Sequence, residues 1–168
     1  MTLDQLNAMP RDQFTDTLGA IFEHSPWVAE RAWEMRPFSN VSALHAAMCA
    51  SVAASDDTAK LALIRAHPPL AGKAALRGEL TTASKSEQHA AGLDQCSPEE
   101  LSRLTEVTRD YDRRFGIPFI LAVRDHTRQS ILDNLSARMG NTREQEIAEA
   151  LRQIERIALL RLTGAIAG

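Results

Sequence analysis

The stretch HPPLAG at residues 67–72 sets a histidine on stiff backbone. A residue preceding proline is pushed out of the α region, and Pro68 and Pro69 have fixed φ and no N–H to offer a helix. The preceding DDTAKLALIRA reads as an amphipathic helix, so His67 stands at a helix exit on a rigid support. Imidazole titrates near neutrality, which suits general acid–base chemistry. A histidine that ends a helix by bonding a last-turn carbonyl explains the same residues. In SKSEQ, residues 84–88, Ser84 and Glu87 are three apart and Ser84 and Gln88 four apart, which is one helix face. A hydroxyl, a carboxylate and an amide converge there and suit a polar ligand with several N–H and C=O groups; an ordinary solvated face fits the spacing too. In the last helical stretch Ile147, Leu151, Ile154 and Ala158 form an apolar stripe whose next step lands on Arg161. A guanidinium there either meets an anionic or polar partner or snorkels to water. Finally, FGIPF and the following ILAV put non-helical backbone in a helical chain. Its N–H and C=O groups need partners, which a ligand with urea-like edges or neighbouring protein groups would supply.

Other chemistries lack their residues. The sequence has no HExxH, P-loop, GxGxxG or Gly-x-Ser-x-Gly. Neither cysteine stands in a charge pattern that marks a nucleophile. His67, Glu87 and His89 make a poor metal set, because one is flanked by proline and the other two are a lone helix pair; no metal is expected.

The elements that must position these residues are helical. Pro10 can open a helix carrying Phe14, Leu18 and Ile21 on one face. In SPWVAERAWEM, Ser25 is placed to cap and Pro26 to occupy the first helical position, with Pro37 stopping the run. Helices are predicted over 41–53, capped by Ser39 or Asn40, and 57–66, capped by Ser55 or Asp56. A short one begins near Thr82. SPEELSRLTEVTRDYDRRF opens with the capping box Ser97/Glu100 and carries Leu101, Leu104, Val107 and Tyr111 on its apolar face. Residues 127–139 form a helix ending at Gly140, and Asn141 with Glu144 starts the last, running to about Thr163. The expected fold is all-α, a single domain over 1–168. It would be a bundle of about eight helices with one extended segment, 115–124, threading through it, since one short strand cannot form a sheet.

Bulk properties agree. The chain has 168 residues with 44% hydrophobic and 5% aromatic content, enough apolar side chain for a core and a bias toward helix. A net charge of −3 with interspersed signs leaves no basic footprint for nucleic acid or for anionic membrane. No apolar run reaches spanning length. MTLDQLNAMP lacks a secretory pattern and AIAG is not a peroxisomal address. With Cys49 and Cys96 and no CxxC, reduced thiols and a cytoplasmic location are expected.

Taken together, HPPLAGKAALRGELTTASKSEQHAAGLD, YDRRFGIPFILAVRDHT, IERIALLRL and the earlier SPWVAERAWEMRPF resemble the 2-oxo-4-hydroxy-4-carboxy-5-ureidoimidazoline (OHCU) decarboxylases over nearly the whole chain. The specific signature is His-Pro-x-Leu-Ala-Gly, Ser-x-x-Glu-Gln, Phe-Gly-x-Pro-Phe and the terminal Arg-Leu. The family's first motif often has Asp where this chain has Pro69, a change that stiffens the loop. The resemblance implies an all-α homodimeric carboxy-lyase with no metal or organic cofactor, completing urate oxidation by converting OHCU to (S)-allantoin. It implies that His67 and Glu87 are catalytic and that Pro68, Ser84, Gln88, Arg161 and the backbone of Phe119, Ile120, Leu121, Ala122 and Val123 bind substrate. An imine beside the carbon that loses CO2 would act as the electron sink, which explains how the family manages without a cofactor. A non-catalytic helical interaction module is the competing expectation, and a different lyase or hydrolase with a metal at His67 and His89 is another.

Overall fold

The structure is a computed structural model, and it describes residues 1–68, 70, 81–93 and 96–167. Among the described residues there are nine α-helices and no strand beyond an isolated bridge between Thr2 and Ala167, so the all-α expectation holds. The helices are α1 (Leu3–Ala8), α2 (Arg11–Leu18), α3 (Trp27–Ala32), α4 (Val41–Ala53), α5 (Asp57–Ala66), α6 (Thr82–Ala90), α7 (Pro98–Phe115), α8 (Arg128–Arg138) and α9 (Arg143–Ala165). Chain contacts divide them into two units, Met1–Ala66 with Glu155–Gly168, and His67–Ile154.

In the first unit α3 packs on α2 and α4, and Phe14, Leu18, Val28, Leu44 and Met48 are buried. Phe14 and Phe38 stack with ring centroids 6.3 Å apart. The predicted punctuation is partly redistributed. α2 ends at Leu18, so Ile21 is buried from a turn rather than from the helix face. Ser25 does not cap α3 with its side chain; its hydroxyl donates to the Glu23 carbonyl at 2.8 Å. Asn40 caps α4 by accepting the Ala43 N–H at 2.8 Å, and Asp56 caps α5 by accepting that of Ala59 at 2.8 Å. Each side-chain oxygen satisfies one of the N–H groups that a helix start leaves unpaired.

In the second unit α7 carries the predicted capping box: Ser97 Oγ accepts the Glu100 N–H at 3.1 Å, and Glu100 accepts the Ser97 N–H at 3.3 Å. The helix runs through Phe115 and stops because Gly116 takes a left-handed φ of +68°, a conformation that costs glycine little. α7 packs against α8. The last helix starts later than expected. Thr142 and Gln145 make the reciprocal box, with Gln145 N–H on Thr142 Oγ1 at 3.2 Å and Thr142 N–H on Gln145 Oε1 at 2.9 Å. Asn141 instead donates its amide to Glu146 at 2.9 Å.

Candidate active site

α5 delivers His67. The helix ends at Ala66, and His67 follows immediately with 5% of its surface exposed. Pro68 is half-buried beside it. The stiff exit is thus also an interior position, shielded from bulk water. Pro69 and residues 71–80, the rest of the stretch read as a rigid loop and the departure from the family motif, lie outside the described residues.

α6 delivers the polar face. Thr81 caps it, accepting the Ser84 N–H at 3.2 Å. Ser84 and Gln88 are buried and Glu87 is half-buried, whereas Lys85, Ser86 and His89 are exposed. The face picked out by spacing therefore points inward, which a solvated helix face would not do. His89 lies on the opposite, exposed side, away from the burial of its supposed co-ligands. Among the described residues no group of three His, Cys, Asp or Glu is arranged to hold a metal ion.

The non-helical segment covers 117–122, shorter than the expected 115–124, because Phe115 still belongs to α7 and Val123–Asp125 form a 3-10 turn. α6 packs against that turn, so the helix carrying Ser84, Glu87 and Gln88 meets the end of the segment. Phe119, Ile120, Leu121, Ala122 and Val123 are all buried. Several of their backbone groups are held by protein. The Ile120 carbonyl accepts from Arg138 Nη1 at 2.6 Å. The Ala122 N–H donates to Gln153 Oε1 at 3.0 Å, and Gln153 in turn donates to Glu149 at 2.8 Å. The carbonyls of Ala122 and Val123 close the 3-10 turn onto Asp125 and His126 N–H at 3.0 Å. Protein groups thus satisfy part of this backbone.

Sequence reasoning missed the cluster behind the segment. Arg138 donates to Glu146 at 2.8 Å, and both are buried. Tyr111 donates its hydroxyl to the same carboxylate. The Arg138 guanidinium lies 4.5 Å from the Phe119 ring centroid and 5.9 Å from that of Tyr111, and the two rings meet edge to face at 5.2 Å. Burial, then the hydrogen bond to Glu146, push the Tyr111 hydroxyl well above the ordinary phenol range, so it stays a donor. One signal was available. Stepping back by fours from Ile154 gives Ala150 and Glu146, which the first half of α9 buries, while Ile147 and Leu151 are half-buried.

Arg161 belongs to the first unit, whereas His67, Pro68, Ser84, Glu87, Gln88 and the 119–123 backbone belong to the second. Arg161 is 9% exposed and does not snorkel to water. Its Nη2 donates to Glu23 at 2.8 Å, and Nη1 to the carbonyls of Ala20 and Ile21 at 3.3 and 3.2 Å. The anionic partner required by a buried guanidinium is Glu23, itself buried and missed from the sequence.

A helical second unit that buries a histidine, a hydroxyl and an amide suits the class of small-molecule enzymes. Comparison with known proteins makes the class specific. The protein-family model for OHCU decarboxylase matches residues 7–163. The uric acid degradation bifunctional protein of Bacillus subtilis is 44% identical over 98% of this chain, which spans 33% of that protein. The OHCU decarboxylase of Haloferax volcanii is 40% identical over 96% of this chain and 94% of its own length. A crystal structure of (S)-allantoin synthase superposes with a TM-score of 0.78 at 34% identity, covering 99% of this chain and 54% of that one. The chain belongs to the OHCU decarboxylase family and is a carboxy-lyase. It spans about a third of the Bacillus relative and about half of that solved chain.

Proposed function

We propose that this chain decarboxylates OHCU to (S)-allantoin, in urate degradation, with His67 as general acid/base. Family membership across residues 7–163 carries the reaction, and burial of His67 in that frame supports its role. The reacting carbon bears a hydroxyl and a carboxylate, and its neighbour is an imine carbon bearing the ureido group. When the bond to the carboxylate breaks, CO2 leaves and the electron pair forms a double bond between the two ring carbons. The imine nitrogen takes up the displaced electrons with a proton. The resulting enol loses its hydroxyl proton, its double bond takes a proton on the ureido-bearing carbon, and the ketone of allantoin remains. One proton is consumed overall. Delivery from one face gives one enantiomer.

His67, next to a proline and buried, suits proton delivery from a fixed direction. Glu87 orients His67 or accepts the substrate hydroxyl proton. Ser84 and Gln88, facing inward from α6, read the ureido and ring amides together with Pro68 and the 119–123 backbone. Arg161, held by Glu23, binds the carboxylate or a ring carbonyl. The reading includes a homodimer and a cytoplasmic setting, where two cysteines, Cys49 and Cys96, with no CxxC suit a reducing compartment.

The test is His67→Asn. Turnover of OHCU should fall by ~10²–10⁴-fold, the usual weight of a general acid–base group, with unchanged far-UV circular dichroism. Turnover close to wild type with a single product enantiomer would remove His67 from the reaction.

A further inference from the structure

The buried cluster behind the 117–122 segment has no part in the chemistry above, yet its central cation is bonded directly to the backbone proposed to bind substrate. Arg138 reaches the Ile120 carbonyl at 2.6 Å with one nitrogen and the Glu146 carboxylate at 2.8 Å with another. Glu146 is fully buried and is fixed from two further sides, by the Tyr111 hydroxyl and by the Asn141 amide at 2.9 Å. The rings of Phe119 and Tyr111 close over the guanidinium. A planar guanidinium bonded through two different nitrogens has little freedom to turn. Among the described residues the segment has no strand neighbour, and Arg138, itself held with Tyr111 on Glu146, bonds its backbone instead.

We infer that Arg138 is a positioning residue of the decarboxylase, fixing the 119–123 edge at the height and tilt that substrate requires, with Glu146 and Tyr111 holding Arg138 in turn. Apolar packing alone would bury Ile120 without a buried ion pair, and breaking such a pair leaves an uncompensated charge. The inference rests on the reading that the 119–123 backbone binds substrate, because the Arg138 guanidinium is bonded to that backbone and to Glu146. It assigns no proton transfer to Arg138. A shift of about 1 Å in a binding edge can cost on the order of 100-fold in rate, so small changes in the cluster should be visible in catalysis before the fold is lost.

The experiment pairs kinetics with amide signals. In ¹⁵N-labelled wild-type protein, the Leu121 and Val123 amides should shift when (S)-allantoin is added. In Arg138→Lys, which keeps the charge but not the two-nitrogen grip, KM for OHCU should rise by about 10- to 100-fold. Its kcat should change much less, and the two amides should lose their response. Tyr111→Phe removes one hydroxyl and keeps the ring, so it folds; its KM should move the same way by less. Leu135→Ala, at a buried apolar position of α8, is the stability control and should lower Tm without raising KM. Amides that ignore allantoin in wild type would overturn the binding role of 119–123, and the inference with it. Amides that respond, with KM unchanged in Arg138→Lys or raised equally in Leu135→Ala, would overturn the positioning role alone.

Discussion

At the residue scale, the burial of Ser84 and Gln88 sets aside the solvated helix face and that of Arg161 the snorkelling arginine, and His67 is buried too. Each of these polar side chains has a cheaper place in water, and all four are inside. What the sequence could not show was the partner of each. Glu23 lies 138 residues from Arg161, and no helical or strand period links positions that far apart. The two are linked only by folding of the first unit. Glu146 was hidden for a different reason: a stripe traced through apolar residues passes over a buried carboxylate. The Glu23–Arg161 pair makes a prediction of its own. Replacing Glu23 by Ala leaves a buried guanidinium short of its counter-charge and should cost about 3–5 kcal/mol, read as a lower urea midpoint. Arg161→Met in the same background should restore part of that loss, because the uncompensated charge goes too. A Glu23→Ala protein as stable as wild type would show that the pair carries no such weight.

At the element scale, the sequence announced several helices by their caps, though not α1, which carries the capping box Thr2/Gln5. Ser97 with Glu100 caps as read, and Asn40 and Asp56 are the caps taken from the two candidates offered at α4 and α5. The last helix was misplaced by one residue because Asn141/Glu144 and Thr142/Gln145 offer rival boxes. Tertiary contact decides, since the Asn141 amide is taken by buried Glu146. The non-helical segment was legible from Gly116 and Pro118, but its length was not, because Val123–Asp125 turn back into 3-10 geometry. Gly116 tests how that boundary works. Its φ is +68° and an added Cβ would meet nothing within 4 Å, so Gly116→Ala isolates backbone strain from packing. It should destabilise by ~1–2 kcal/mol, the cost of left-handed geometry for a side chain, measured by denaturant titration at unchanged m-value. A loss below a few tenths of a kcal/mol would mean that the α7 terminus relaxes to another conformation.

At the scale of the whole molecule, alkali should be more damaging than neutral pH. Burial, with the nearby Glu155 charge, pushes the Cys49 thiol up to about 12 from an ordinary value of 9.0, and the Tyr111 hydroxyl is raised as well. A group whose pKa is raised in the folded state stabilises the fold fully below its unfolded value and loses that contribution as pH rises through the folded one. Stability should therefore be flat up to about pH 9 and decline between there and about pH 12. Cys49→Ala should soften the decline, and native Cys49 should react slowly with iodoacetamide at neutral pH. A Cys49 that alkylates as fast in the native as in the unfolded protein would contradict this. The central claim is the reaction itself, and following freshly generated OHCU by absorbance and circular dichroism tests it most directly. The protein should speed the loss of OHCU well beyond its spontaneous decay and leave the dichroism of (S)-allantoin alone. Decay at the spontaneous rate, or a racemic product at the end of an accelerated one, would contradict the account.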